Sequence, residues 1–281
     1  MDSLPPLQIH TLLRRHGVHP DRSLGQNFLV DEANLKKVVE AARISPDEEV
    51  LEIGTGLGSL TRHLALSARY VTTVELDGRL LPALKEVLAP FHNIAIVEGD
   101  ILQINPASLI QTASYAVVAN IPYYITSALI RHLLEAERKP SRLVLTVQSE
   151  VADRICAQPG EMSLLALSVQ VYGQPQIMGR IPAGAFFPPP KVDSAIICVS
   201  MLPQPRIPGS QIKLFFRLAR AGFSQKRKNL RNALSAGMDW PKKQTEGLLL
   251  AAGIDPTRRA ETLSLEEWGG LVQIAEQDPR S

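Results

Sequence analysis

The chain has 281 residues but only two cysteines, Cys156 and Cys198, too few for a disulfide framework and without metal-ligand spacing. Both are expected to be small buried apolar residues. Six histidines are scattered with no paired ligand motif, so no metal site is expected. No apolar run approaches the roughly 18 residues that span a bilayer. The opening Met1-Asp2-Ser3-Leu4-Pro5-Pro6 lacks the basic and apolar regions of a signal peptide. These absences lead us to expect a cytoplasmic protein with no membrane partner. Net charge is also scarce, at +2. Any case for nucleic acid must therefore rest on where charge lies, not on its total. One local absence makes that case: no acidic residue occurs from Ser194 to Met238. Arg206, Lys213, Arg217, Arg220, Lys226, Arg227, Lys228 and Arg231 all fall in that span. Such a stripe suits a phosphate backbone; its plainer reading is a solvated helix face. Arg14, Arg15 and Arg22 could extend the surface.

Apolar strands alternate with helical patterns through the first two thirds of the chain. Strands are predicted over 50–53, 70–75, 94–97, 115–119, 143–148, 167–172 and 195–201. Helix-like spacing separates them, as in Leu60 and Leu64, then Leu80, Leu81, Leu84 and Leu88. The alternation implies an α/β domain with a mostly parallel seven-stranded sheet. The run Phe186-Phe187-Pro188-Pro189-Pro190-Lys191 is expected to be irregular because of its prolines. Pro203-Gln204-Pro205-Arg206-Ile207-Pro208-Gly209 reads as a linker. Strand signals stop after it, and a small all-helical domain is expected. The division is thus 1–203 and 204–281.

Four successive strand ends carry chemistry. Glu52-Ile53-Gly54-Thr55-Gly56-Leu57-Gly58 follows the first strand and opens a helix. Its glycines allow a tight turn and close approach of a ligand. Dinucleotide enzymes use a similar turn, but their third glycine is replaced by Ser59 here. Glu75 ends the second strand, where a carboxylate can grip both ribose hydroxyls. Asp100 follows the third and can accept from an adenine amine. Two acids with no basic phosphate clamp fit a nucleoside cofactor without phosphate, and S-adenosyl-L-methionine is such a molecule. Asn120-Ile121-Pro122-Tyr123 follows the fourth strand. The Asn120 side-chain oxygen and the Ile121 carbonyl can accept from an exocyclic amine, Pro122 fixes the turn, and Tyr123 can stack on a base. Each residue alone could be an ordinary turn or core residue; their joint occurrence is harder to explain structurally. Tyr124 is read as structural.

These residues bring out a resemblance. The chain resembles the ribosomal small-subunit (16S) RNA adenine dimethyltransferases of the S-adenosylmethionine-dependent methyltransferase superfamily. The likeness runs from about Ser23 to Glu267. It includes Leu24-Gly25-Gln26-Asn27-Phe28-Leu29, the glycine turn, Glu75, Glu98-Gly99-Asp100 and Asn120-Ile121-Pro122-Tyr123. It continues through Phe186, Pro188-Pro189-Pro190-Lys191-Val192-Asp193-Ser194, the run 223–232 and Arg259-Ala260-Glu261-Thr262-Leu263-Ser264. Two departures stand out. Thr55 sits where the family often has proline, and Glu161-Met162-Ser163-Leu164-Leu165 replaces a stretch with a Tyr-Gly pair. The resemblance implies a Rossmann-like methyltransferase domain. Asn27, Leu29, Gly54, Gly56, Glu75, Asp100 and Asn120 would hold the cofactor. Phe186 would form a second wall for the base, although Phe187 is its neighbour. Arg220, Lys226, Arg227, Lys228 and Arg231 would bind RNA. The implied reaction is dimethylation of two adjacent adenosines near the 3′ end of 16S rRNA, on an immature small ribosomal subunit, by a monomer. Two rivals share these motifs: a large-subunit RNA methyltransferase of the macrolide-resistance type, and an assembly factor whose RNA binding outweighs its catalysis.

Overall fold

Residues 4–277 are described in the computed structural model, with the backbone alone described at Tyr123. The strands are β1 (Phe28–Leu29), β2 (Glu49–Ile53), β3 (Tyr70–Glu75), β4 (Ile94–Glu98), β5 (Tyr115–Asn120), β6 (Arg142–Gln148), β7 (Gly173–Ile181), β8 (Phe186–Phe187) and β9 (Ser194–Met201). The helices are α1 (Ile9–Arg15), α2 (Glu32–Ala42), α3 (Ser59–Ser67), α4 (Leu81–Leu88), α5 (Thr126–Glu135), α6 (Ser149–Ile155) and α7 (Leu164–Gln170). Beyond these come α8 (Ile212–Phe223), α9 (Leu230–Met238), α10 (Lys242–Ala251) and α11 (Leu265–Gln277). None is long and apolar enough to cross a membrane.

Seven strands form one sheet in the order β4-β3-β2-β5-β6-β9-β7. β2 pairs in parallel with β3 and β5, β3 with β4, and β5 with β6, whereas β9 is antiparallel to β6. The central strands are buried on both faces, which is why they read as unbroken apolar runs rather than alternating ones. Val50, Val71, Val118, Val144 and Ile196 share a cluster with Leu35, Val38 and Ala42 of α2 and Leu60 and Leu64 of α3. From β2 the chain builds outward first through β3 and β4, then on the other side through β5 and β6. The order therefore switches between β2 and β5, the position where open α/β sheets leave a crevice at the carboxyl ends of their strands.

Three expectations are corrected. Residues 167–172 do not form a strand: α7 covers Leu164–Gln170, started by Ser163, whose hydroxyl accepts from the Ala166 N–H at 3.1 Å. The next strand of the sheet is β7 instead. Phe186–Phe187 is not irregular but pairs antiparallel with Phe28–Leu29; the prolines begin one residue later, so both phenylalanines keep their N–H groups for pairing. The two cysteines are half-buried free thiols, not fully buried.

The chain forms two compact units. One contains the residues up to Ala152 together with Gln176–Met201; the other joins Asp153–Pro175 to the chain from Leu202 on. The segment Asp153–Pro175, which carries α7, thus joins the helical unit although it precedes β9 in the chain. Within that unit Gly160 and Met162 donate to the Glu261 carbonyl at 2.9 and 3.1 Å, which orders the loop that departs from the family pattern. Trp268 is fully buried, stacks on Phe223 and lies over Gly222, where an added Cβ would come within 2.6 Å of the ring.

The contact between α8 and α9 depends on another small residue. A Cβ at Gly237 would lie 2.6 Å from the Ala221 Cβ and 2.7 Å from its Cα, a backbone atom that cannot turn aside. Gly237→Ala gains up to about 1 kcal/mol of helix preference but forces an overpacking cost of roughly 1–3 kcal/mol. The expected net result is destabilisation and a lower midpoint in urea. An unchanged or raised midpoint would show that the two helices separate freely.

Candidate functional site

The carboxyl ends of β2, β3, β4 and β5 open into one cavity of about 220 Å³. β2 runs into the glycine turn, where Gly54, Gly56 and Gly58 all have left-handed φ values, between +59° and +82°. Gly56 admits no side chain, since a Cβ there would lie 2.9 Å from the Phe28 ring. Its N–H donates to Glu75 Oε2 at 2.7 Å, and the Asp77 N–H donates to Glu75 Oε1 at 2.9 Å. Burial raises the Glu75 pKa above the usual carboxylate value, against the pull of these two bonds. A carboxylate offers about four acceptor sites, so each oxygen keeps capacity for a ligand hydroxyl. Asp100 accepts from the Leu102 N–H at 2.9 Å through Oδ1, which leaves Oδ2 free of that bond.

Asn120 ends β5 and is fixed from an unexpected side. Its Nδ2 donates to the Asn27 carbonyl at 3.1 Å. That bond assigns the amide orientation and makes Oδ1 the acceptor at the cavity. No described residue donates to the Ile121 carbonyl. The N-terminal segment that supplies the Asn27 carbonyl is itself held at two places. Phe28 and Leu29 pair with Phe187 and Phe186. Gln26 donates to Asp77 Oδ2 at 2.8 Å, and the Arg79 guanidinium bridges Asp77 and Asp21 at 2.7 and 3.0 Å. The Arg79 bonds, with help from Gln26, hold the Asp77 carboxyl below its ordinary range.

A second chain of polar groups lies behind the glycine turn. The Thr73 hydroxyl donates to Glu52 Oε2 at 2.9 Å and is also hydrogen bonded to the Thr55 hydroxyl. Glu52 is 1% exposed, and its Oε1 has no partner among the described residues. Burial pushes its pKa up to about 8, the Thr61 and Thr73 hydroxyls oppose the shift, and the nearby Glu75 adds to it. Thr55, the departure from the family's proline, thus anchors the turn through its hydroxyl.

Asn27, Gly54, Gly56, Glu75, Asp100, Asn120, Ile121, Pro122 and Phe186 all line this one cavity. Leu29 is not among its lining residues; it packs into the apolar cluster beneath the sheet with Leu35 and Val38. The side chain of Tyr123 lies outside the described residues. Phe187 turns to His10, with ring centroids 3.9 Å apart, so Phe186 is the phenylalanine of the cavity. Arg220, Lys226, Arg227 and Lys228 are exposed, Arg220 on α8 and the other three between α8 and α9. Arg231 is half-buried and paired with Glu246 at 3.1 Å. Several lining residues escaped the sequence reading: Leu24, Phe28, Leu76, Leu80, Ile101 and Tyr124. Leu76 and Ile101 had a usable signal, because each directly follows one of the two acids.

The lining includes two carboxylates, three amides (Gln26, Asn27 and Asn120) and many apolar side chains, but no Lys, Arg or His. Such a set suits a nucleoside whose amine and ribose hydroxyls would meet the acids and whose base would meet apolar side chains such as Leu76 and Ile101. It disfavours a pyrophosphate and tolerates a cation. The residues therefore fit S-adenosyl-L-methionine.

Comparison with known proteins agrees. A sequence model of the family described as ribosomal RNA adenine dimethylase matches residues 19–277. A protein named ribosomal RNA small subunit methyltransferase A from Dehalococcoides mccartyi is 45% identical, over 97% of this chain and 94% of its own. A protein of the same name from Geobacillus kaustophilus is 41% identical, over 96% of both chains. Among solved structures, a dimethyladenosine transferase from Plasmodium falciparum superposes with a TM-score of 0.76 at 25% identity, over 89% of this chain and 98% of that one. The 23S rRNA methyltransferase ErmE does so with a TM-score of 0.73 at 31% identity, over 89% and 100%.

The buried Glu52 carboxyl makes stability depend on pH. With its folded pKa near 8 and an ordinary value of 4.5, the folded state holds a proton that the unfolded chain releases between those values. Its contribution is fully present below about pH 4.5 and is lost as pH rises through about 8. The full effect is at most on the order of 5 kcal/mol. Glu52→Gln has no proton to lose, so its melting temperature should rise relative to wild type between pH 5 and pH 8. A difference that stays constant over that range would mean that Glu52 is ionised in the folded protein.

Proposed function

The chain belongs to the ribosomal RNA adenine dimethylase family, and from that premise we propose that it dimethylates the exocyclic amines of two adjacent adenosines near the 3′ end of 16S rRNA, using S-adenosyl-L-methionine. The single observation that carries the reading is the pinned amide of Asn120, whose oxygen remains an acceptor beside a cavity with two carboxylates at its other strand ends. The curated small-subunit relatives match the chain over nearly its whole length, which favours 16S rRNA over the large-subunit RNA named for ErmE. The work takes place in the cytoplasm on the immature small subunit, with the protein acting as a monomer.

Glu75 accepts from the cofactor's ribose hydroxyls and Asp100 from its adenine amine. Hydrogen bonds to charged acceptors contribute about 1.5–3 kcal/mol each. Gly54 and Gly56 would allow the cofactor's close approach, and Leu76 and Ile101 would offer apolar surface to its base. When bound, the cofactor supplies an electrophilic methyl group on a sulfonium. The protein's part is to present the acceptor nitrogen. An adenine amine is a poor nucleophile because its lone pair is delocalised into the ring. As the nitrogen becomes tetrahedral it gains positive charge, and acceptors aimed at its hydrogens stabilise that charge. Asn120 Oδ1 and the Ile121 carbonyl take this role. Pro122 fixes the turn that carries them, and it has no N–H to compete for the acceptors. Tyr123 stacks on the target base, with Phe186 as a second wall. Stacking is worth roughly 1–3 kcal/mol per base, against the few kcal/mol needed to unstack the nucleotide. The methylated amine is acidic enough to pass its proton to water, so no general base is needed.

The RNA backbone is held by Arg220, Lys226, Arg227 and Lys228. Arg231, already paired with Glu246, adds less charge to this surface.

Asn120→Ala should keep the fold while losing most methyl transfer, by roughly 100-fold if one transition-state acceptor is removed. Wild-type rates on small-subunit RNA in that variant would refute the mechanism. The basic surface has its own readout. Replacing Lys226, Arg227 and Lys228 by Ala should weaken RNA binding and lower the slope of log affinity against log salt by about 0.7 for each phosphate no longer neutralised. An unchanged slope removes these residues from the interface.

A further inference from the structure

Tyr124 has no place in the mechanism above, yet its position is unusual. It is 59% exposed and lines the mouth of the cavity. It sits on the short 3-10 turn that begins directly after Pro122, braced by the Ile125 N–H donating to the Pro122 carbonyl at 3.2 Å. One side of its ring lies against Gly25, where a Cβ would be 3.4 Å from both Cδ1 and Cε1. Gly25 has φ +63°, so this position favours glycine twice over, by backbone and by space. No described residue forms a hydrogen bond with the Tyr124 hydroxyl. The ring is thus packed against Gly25 on one side while most of the residue stays exposed.

A target adenosine must leave its stack to reach Asn120, and its neighbour in the strand then loses a stacking partner. That neighbour is carried to within one nucleotide of the cavity mouth. We propose that Tyr124 is the platform on which the base adjacent to the target adenosine stacks while the target is in the cavity. This inference rests on the RNA methyltransferase reading above. It gives the pair of adenosines a physical link: when one of them occupies the cavity with its partner on the Tyr124 side, the partner's base is steadied by this ring.

The test crosses protein and RNA changes. Wild type, Tyr124→Ala and Tyr124→Phe are assayed for kcat/KM on small-subunit RNA with both adenosines. They are also assayed on RNA in which the adjacent adenosine is replaced by an abasic residue. On intact RNA, Tyr124→Ala should lose roughly 5- to 150-fold, the span expected for one base stack, while Tyr124→Phe stays within about twofold of wild type. On abasic RNA, wild type should fall to the level of Tyr124→Ala, and the variant should lose little more. Cofactor affinity should be the same in all three proteins. An equal loss for Tyr124→Ala on both RNAs would overturn the proposal in favour of a structural role. Full activity of Tyr124→Ala on intact RNA would overturn it outright. A wild-type protein inactive both on intact RNA and on immature small subunits carrying it would refute the methyltransferase reading itself, and the Tyr124 proposal with it.

Discussion

The hydrogen bond from Asn120 Nδ2 to the Asn27 carbonyl joins two stretches of chain that lie 93 residues apart. A side-chain amide has two ends of opposite hydrogen-bonding character. Rotated by half a turn, Asn120 would offer donors to an amine that itself donates. The Asn27 carbonyl removes that alternative by occupying the nitrogen. For the carbonyl to be there, the segment from Leu24 to Leu29 must lie across the strand ends, and several otherwise separate features serve that end. Gly25 approaches Pro122 closely enough that a Cβ would be 3.2 Å from its Cβ. Phe28 fills the space that Gly56 leaves. β1 pairs with β8, which also places Phe186 at the cavity. Gln26, Asp77, Arg79 and Asp21 fasten the outer side of the segment.

Concentrating carboxylates at one end of a sheet is costly, and each is compensated differently. Asp77 has the Arg79 guanidinium. Glu75 has two backbone N–H groups, yet burial still raises its pKa. Glu52 has a threonine hydroxyl on one oxygen and no described partner on the other, and it is pushed furthest. A buried acid without a countercharge avoids most of its desolvation cost by keeping its proton. Under the proposed reading, the acids nearest the ligand remain available as acceptors. The hindmost one is a neutral link that ties the glycine turn to β3 through Thr73 and Thr55.

The parallel sheet was legible because its central strands are buried on both faces and carry continuous apolar runs. That same signal misled at 167–172. A short apolar run does not separate a buried strand from a buried helix, and the discriminating mark was Ser163 as a helix-starting residue. The acids, the glycine turn and Asn120 were legible because strand ends concentrate chemistry in this architecture. The Asn27 contact was not, because it is made by a backbone carbonyl and carries no residue identity. Leu29 stood in the same motif as Asn27, but along β1 it alternates with Phe28, which lines the cavity, and its side chain packs into the core. Arg231 looked like its basic neighbours; only the helix facing it revealed Glu246.

Under the proposed reading, the cavity accounts for how an amine is presented but not for how one RNA is chosen. Its acceptors recognise an adenine amine in any sequence, and phosphate contacts carry position rather than sequence. Neither the tetrapeptide at Asn120 nor the exposed cations between α8 and α9 can select two particular adenosines alone. Under the proposed reading, selection falls to features beyond these groups, the fold of the RNA itself among them. This places the demand on rigidity. An Asn120 free to rotate would present acceptor and donor in turn to any base that arrived, so the bond that orients it for chemistry also makes the cavity informative about which base has entered.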